Sequence, residues 1–131
     1  MLSNTLRVLC VDDNQDTAES TGLLLALAGA DVRVCYDGAS ALAEVKKFKP
    51  DVAILDLEMP RADGCAVARL LRTEPRNKPL FLVAITGQDH DEARRRTAEA
   101  GFDQHLTKPA DPHVLLKLLE DFSAPGRDAS V

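Results

Sequence analysis

Asp12 and Asp13 stand side by side after the apolar stretch Leu6–Val11, and Asp56 follows Asp51–Leu55. Thr86 follows Leu80–Ile85, and Lys108 follows Gln104–Thr107 and precedes Pro109. If these stretches are neighbouring strands, three carboxylates, a hydroxyl and an ammonium converge on one sheet edge. Carboxylates so placed repel, since two unit charges ~4 Å apart cost about 4 kcal/mol at an effective dielectric of ~20. Lys108 offers one positive charge and a divalent cation two more. Magnesium prefers oxygen ligands, keeps several waters, and takes one or two carboxylates together with phosphate oxygens. The grouping therefore predicts a Mg2+ site open to a phosphoryl group. An aspartate can also be a nucleophile and form an aspartyl phosphate. Phosphoryl transfer asks mainly for positioning and charge neutralisation. Asp56 attacking, Mg2+ on Asp12 and Asp13, and Lys108 and Thr86 on phosphoryl oxygens would supply both.

The elements that must position these groups alternate in kind. Leu6–Val11, Asp51–Leu55 and Leu80–Ile85 are short apolar runs, the last two suited to central parallel strands buried on both faces. Asp31–Tyr36 alternates as a half-exposed strand does, and Gln104–Thr107 is a weaker fifth candidate. Between them lie helical patterns. Asn14 or Asp16 can cap a helix over Thr17–Ala28 that ends at Gly29. Ala41, Leu42, Val45 and Phe48 follow helical spacing up to Pro50, and Val67, Leu70 and Leu71 do so before Pro75. Asp91–Ala100 is helical by propensity, with a thin stripe of Ala93, Thr97 and Ala100. Leu115, Leu118, Leu119 and Phe122 mark a last helix, capped by Asp111 with Pro112 at its first position. The order βαβαβαβαβα predicts a parallel sheet with helices on both faces. Functional groups in such a sheet collect at the carboxyl ends of the strands, near the topological switch point.

Composition narrows the function. The chain has 131 residues, enough for one domain, here residues 6–122 between a tail at 1–5 and a tail or linker at 123–131. Its 16 Lys+Arg against 21 Asp+Glu give a formal charge of −5, unfavourable for general nucleic-acid binding. The tight cluster Arg94-Arg95-Arg96 reads as a solvated helix face. Cys10, Cys35 and Cys65 form no CxxC pair and read as reduced thiols in a cytoplasmic protein, Cys65 being the best candidate for exposure. Apolar runs such as Leu23–Ala28 fall far short of the ~20 residues of a membrane span. Residues 1–5 lack the features of a signal peptide.

The segments VLCVDDN at 8–14, DVAILDLEMPRADG at 51–64, AITG at 84–87 and HLTKP at 105–109 together resemble the receiver domain of bacterial two-component response regulators. The resemblance runs from about Leu6 to Phe122. It implies a flavodoxin-like doubly wound fold with five parallel strands in the order 2-1-3-4-5 and five helices. It implies Asp56 as phosphoacceptor, with Asp12, Asp13, Asp56 and the Glu58 backbone carbonyl around Mg2+. Lys108 would contact the phosphoryl group, Lys108–Pro109 would be cis, and Gly64 would fit the turn after the third strand. Thr86 would be the switch hydroxyl, and His105 stands at the second switch position, where the family often has Tyr or Phe. Glu58 and Gln88 occupy positions that tune phosphoryl loss in the family.

The function implied is signalling, with a sensor histidine kinase or histidine phosphotransfer protein as donor. A downstream protein would dock on the face of the fourth helix, fifth strand and fifth helix. The domain would catalyse only its own phosphorylation and dephosphorylation, and it could be a single domain or part of a hybrid sensor kinase. Two alternatives share these residues. One is a small aspartate-nucleophile phosphatase, which Asp56-Leu57-Glu58 faintly echoes. The other is a receiver-like interaction module indifferent to phosphate. A flavin-binding flavodoxin would need a hydroxyl- and glycine-rich loop where this chain has Asp-Asp-Asn-Gln-Asp.

Overall fold

The computed structural model describes residue 2 and residues 6–59, 62–75, 79–88 and 90–123. The elements run β1 (Arg7–Val11), α1 (Gln15–Leu27), β2 (Asp31–Cys35), α2 (Gly38–Phe48), β3 (Val52–Asp56), β4 (Glu58–Met59), β5 (Ala62–Asp63), α3 (Gly64–Arg72), β6 (Phe81–Thr86), α4 (Asp91–Glu99), β7 (Gln104–Thr107) and α5 (Pro112–Ser123). Five parallel strands form one sheet in the order β2-β1-β3-β6-β7. Counting main-sheet strands alone, that is the expected order 2-1-3-4-5. The chain-order labels differ because β4 and β5 form a separate antiparallel pair, Glu58 opposite Asp63 and Met59 opposite Ala62. Strands of two residues carry no periodic signal, which is why the sequence pattern passes over them.

Alternation of side chains divides the core into two layers. Leu9, Val11, Ala53, Leu55, Leu82 and Ala84 point to one face, against Ala41 and Val45 of α2 and Val67, Ala68 and Leu71 of α3. Val8, Cys10, Val52, Ile54 and Val83 point to the other, against Leu25 of α1 and Leu115 and Leu119 of α5. β3 is buried along its whole length. Each fully buried Leu or Val of these layers contributes roughly 1.5–3 kcal/mol. α4 differs from the other helices in burying no large apolar side chain, only Ala93 and Thr97 along its length and Ala100 at its cap. Among the described residues, no helix is long and apolar enough to cross a membrane.

Helix ends follow local chemistry. Asn14 caps α1 by accepting from the Thr17 N–H at 3.0 Å. Asp37 caps α2 by accepting from Ser40 N–H at 2.7 Å. His90 caps α4 through Nδ1, 3.1 Å from Ala93 N. Asp111 accepts from His113 N–H at 2.8 Å at the start of α5, and Ser123 closes that helix one residue past the expected end. Gly64 opens α3 rather than serving a turn. A Cβ there would lie 2.5 Å from Leu57 Cδ2 and 3.0 Å from Leu57 Cα, so close approach fixes the glycine.

Residues 1, 3–5 and 124–131 of the expected tails lie outside the described residues, as do Pro60 and Arg61 of the 51–64 motif. Leu2, assigned by sequence to the first tail, is buried in the α1/α5 layer, its N–H 2.7 Å from Ala28 O. Cys10 and Cys35 are buried and Cys65 is half-buried, all as free thiols. Burial pushes the Cys10 thiol up to about 12 and that of Cys35 to about 11.

Two positions outside the site test the backbone argument. Exposed Lys49 ends α2 with φ of 52°, and Gly101 follows α4 with φ of 101°. Left-handed backbone costs an L-residue roughly 1–2 kcal/mol, partly offset for glycine by its larger unfolded-state entropy. Lys49→Gly should therefore raise stability in urea unfolding by about 0.5–1 kcal/mol. Gly101→Ala should lower it by about 1–2 kcal/mol, its Cβ also meeting Arg72 Cγ 3.1 Å away. Shifts of the opposite sign would contradict these assignments.

Candidate functional site

β1 and β3 lie side by side, and their carboxyl ends are level: Val11 is opposite Leu55, so Asp12 and Asp56 emerge together. The chain leaves β1 toward β2 on one side and returns to β3 on the other, which makes this gap the switch point of the sheet. Asp56 is opposite Ile85, and Thr86 is opposite Thr107 on β7. The main-chain bond from Lys108 N–H to Thr86 O, 2.8 Å, carries the β6–β7 pairing one step further. Lys108 then precedes a cis bond to Pro109. Asp12, Asp13, Asp56, Thr86 and Lys108 are thus set at the ends of four strands by register alone.

The carboxylates are closer than their charges favour. Asp12, Asp13 and Asp56 each offer an oxygen, and these atoms all lie within 4.8 Å of one another. Asp56 is 5% exposed, Asp12 is half-buried and Asp13 is exposed. Burial, and then the charge of Asp56, push the Asp12 carboxyl from its ordinary 3.8 up to about 6, although the Asn14 N–H at 2.9 Å opposes the shift. An all-oxygen set with an excess of negative charge fits a hard divalent cation such as Mg2+. Protein donors neutralise part of that charge. Asp56 Oδ1 accepts from Lys108 Nζ at 2.9 Å and from the Glu58 N–H at 2.9 Å. Burial alone would lower the Lys108 pKa, but the hydrogen bond and charge of Asp56, with Glu58 behind them, raise it. The lysine is therefore a fixed cation. These groups line a cleft of about 670 Å³, walled beyond them by Thr17, Ala18, Thr21, Ile85 and Pro109.

Beside the acidic group, the Glu58 side chain takes part in a second cluster. Its Oε1 accepts from the Thr86 hydroxyl at 2.9 Å and from the Gly87 N–H, and its Oε2 lies 3.4 Å from Lys108 Nζ. The Gly87 N–H first, then the Thr86 hydroxyl and Lys108, hold the Glu58 carboxyl below the usual range against the effect of burial. The resemblance names Glu58 for its backbone carbonyl and as a position that tunes phosphoryl loss; what the structure adds is the set of donors gathered on its carboxylate. A long acid two residues after Asp56 is the only sequence signal for it.

From Thr86 a hydrogen-bonded path leads away. Gln88 N–H donates to Thr86 Oγ1 at 3.1 Å, and the Gln88 carbonyl accepts from His105 Nε2 at 2.9 Å. A carbonyl only accepts, so Nε2 carries the proton. His105 Nδ1 is 3.1 Å from Thr97 Oγ1, whose hydroxyl is 2.9 Å from Arg94 O. Arg96 Nη2 donates to Gln88 Oε1 at 3.0 Å. His105 is half-buried and turned toward α4. Thr97 reads from spacing as part of the apolar stripe of α4, and Gln88 is named only by the resemblance, as a position that tunes phosphoryl loss; their place as links to His105 is seen in the structure.

The family model described as the response regulator receiver domain matches residues 8–120. The response regulator MprA of Mycobacterium leprae is 36% identical over 104 residues, 79% of this chain and 45% of that protein. The chain thus spans less than half the length of that relative. An uncharacterized 14.6 kDa protein of Leptolyngbya boryana is 31% identical over 115 residues, 88% of each. The solved structure of the chemotaxis protein CheY4 of Vibrio cholerae is 30% identical and superposes with a TM-score of 0.84, covering 89% of this chain and 98% of that one. The match runs from the first strand through nearly all of the last helix, and the chain belongs to the response regulator receiver domain family.

Proposed function

We propose that Asp56 accepts a phosphoryl group from a sensor histidine kinase or a histidine phosphotransfer protein, in a reaction that depends on Mg2+. The observation that carries this reading is the Asp56 carboxylate, buried at a strand end with Lys108 Nζ 2.9 Å away and two further carboxylates within 4.8 Å. An Asp56 oxygen attacks phosphorus, the bond from phosphorus to the donor's imidazole nitrogen breaks, and that nitrogen keeps the electron pair. The product is an acyl phosphate. Asp12, Asp13, Asp56 and the Glu58 backbone carbonyl would hold Mg2+, which when bound neutralises charge on the phosphoryl oxygens. Lys108 and the Thr86 hydroxyl orient the same oxygens. The domain catalyses its own phosphorylation and dephosphorylation and no turnover of a separate substrate.

Output follows from the path beyond Thr86. A phosphoryl group adds charge and acceptor oxygens that draw the Thr86 hydroxyl. Thr86 Oγ1 holds Gln88 N–H, and Gln88 O holds His105, so movement of Thr86 changes how His105 and α4 are seated. The surface that changes is formed by α4, β7 and α5, and a downstream protein docks there. This is a population shift between two arrangements biased by local charge. The acidic chain acts in the cytoplasm through protein contacts, with neither nucleic acid nor membrane as partner.

Incubation with acetyl phosphate and Mg2+ should add the mass of one phosphoryl group. The gain should vanish with chelator and in Asp56→Asn, which should keep the fold; labelling of that variant would refute the acceptor. Magnesium at ten times its dissociation constant should stabilise the domain by about 1.4 kcal/mol. This effect should shrink as pH falls below about 6, where Asp12 takes up a proton. The metal-free protein moves the other way through Asp12: its folded pKa of about 6 exceeds the ordinary 3.8, so this group adds stability as pH falls between the two. Thermal melts with and without Mg2+ at pH 8 and pH near 5 would check both signs, and a magnesium effect independent of pH would contradict the Asp12 assignment.

A further inference from the structure

The Glu58 carboxylate occupies donors that a phosphoryl group on Asp56 would need. A phosphoryl group presents anionic oxygens that want an ammonium, a hydroxyl and main-chain N–H groups. Here Glu58 Oε1 takes the Thr86 hydroxyl at 2.9 Å and the Gly87 N–H, while Oε2 faces Lys108 Nζ at 3.4 Å. The Thr86 hydroxyl and the Gly87 N–H each have one proton to give. Glycine at 87 leaves room for this contact, since a Cβ there would sit 3.1 Å from Glu58 Oε1.

We infer that the Glu58 side chain is an internal stand-in for the phosphoryl group, holding the Thr86, Gly87 and Lys108 donors until Asp56 is phosphorylated and then leaving them. The inference rests on Asp56 being the acceptor. Two anions on one donor set exclude each other by charge as well as by proton count. Departure is easy for this side chain. Glu58 is 37% exposed at the cleft, so its carboxylate can pass into water. Its backbone stays fixed by the pairing with Asp63 and by the N–H bond to Asp56 Oδ1. Glu58 therefore acts in two ways. It competes with the incoming phosphoryl group, and it pins the Thr86 hydroxyl, from which the path through Gln88 to His105 begins.

The test compares the full chain with Glu58→Gln and Glu58→Ala, using acetyl phosphate and Mg2+ and reading initial rates of mass gain. A parallel 15N–1H spectrum without donor follows the Gly87 amide. Loss of one screened like charge near the incoming group should speed labelling about fivefold in Glu58→Ala. Glu58→Gln should fall between it and the wild type, because its amide oxygen keeps an acceptor without the charge. The Gly87 amide resonance should move upfield in Glu58→Ala as its strong acceptor is lost. Labelling of both variants at or below the wild-type rate, or a Gly87 resonance unmoved by either replacement, would overturn the inference while leaving Asp56 as acceptor. If wild type and variants all fail to label, the acceptor reading falls and this inference with it.

Discussion

Oxygens of Asp12, Asp13 and Asp56 lie within 4.8 Å of one another, a distance at which each ionised pair is unfavourable by roughly 3–4 kcal/mol at an effective dielectric of ~20. The fold holds them there because their backbones belong to strands whose register is set elsewhere. Val8–Val11 against Val52–Leu55 is a run of buried pairs, and the backbones at the acidic end cannot be drawn apart without breaking it. The interior thus supplies the energy that confines the charges. Lys108, carried by β7 on the far side of β6, relieves part of the repulsion through its 2.9 Å contact with Asp56. What remains is a demand for positive charge, expressed in the raised Asp12 carboxyl.

Around that demand the two faces of the sheet do different work. The face covered by α2 and α3 is packed with leucine, valine and alanine, and the face covered by α1 and α5 is packed likewise. Toward the edge the character changes, and the contacts of α4 with its surroundings run through Thr97, His105, Gln88 and Arg96. Rigid packing therefore lies beneath the acidic group, and directional polar contacts lie beside it. A single carboxylate, Glu58, belongs to both zones, because it touches Lys108 on one side and Thr86 on the other.

Much of this was legible in the residues. Apolar runs predicted three of the main strands to within a residue or so, because continuous Val, Ile and Leu between turn signals have few other uses; alternation marked β2, and β7 was the weakest signal. Asp12, Asp56, Thr86 and Lys108 were legible as a group because each follows such a run and parallel register brings run-ends together. Other features depend on tertiary contact and leave no periodic trace. The β4–β5 pair is two residues long on each side. Leu2 stands in a short N-terminal segment with no periodic pattern, and only the place of Ala28 shows where it goes. Gly64 reads as a turn residue, whereas its reason is Leu57 2.5 Å away from where a Cβ would be. Glu58 was visible as a position, but the donors gathered on its carboxylate come from β6 and from beyond β7, far away in sequence.

The thin apolar stripe of α4 has a consequence for energy scale. A helix seated by leucines can be displaced only by exposing them, at roughly 1.5–3 kcal/mol for each. A helix seated by two alanines, Thr97 and a few hydrogen bonds buries little apolar surface, and its hydrogen bonds, worth about 1 kcal/mol net apiece, can be replaced by water. Re-seating α4 therefore costs a few kcal/mol in all and leaves the leucine-packed layers of the sheet untouched. The same interior can then underlie two exteriors, and the melting behaviour of the domain would report on the first while remaining nearly blind to the second.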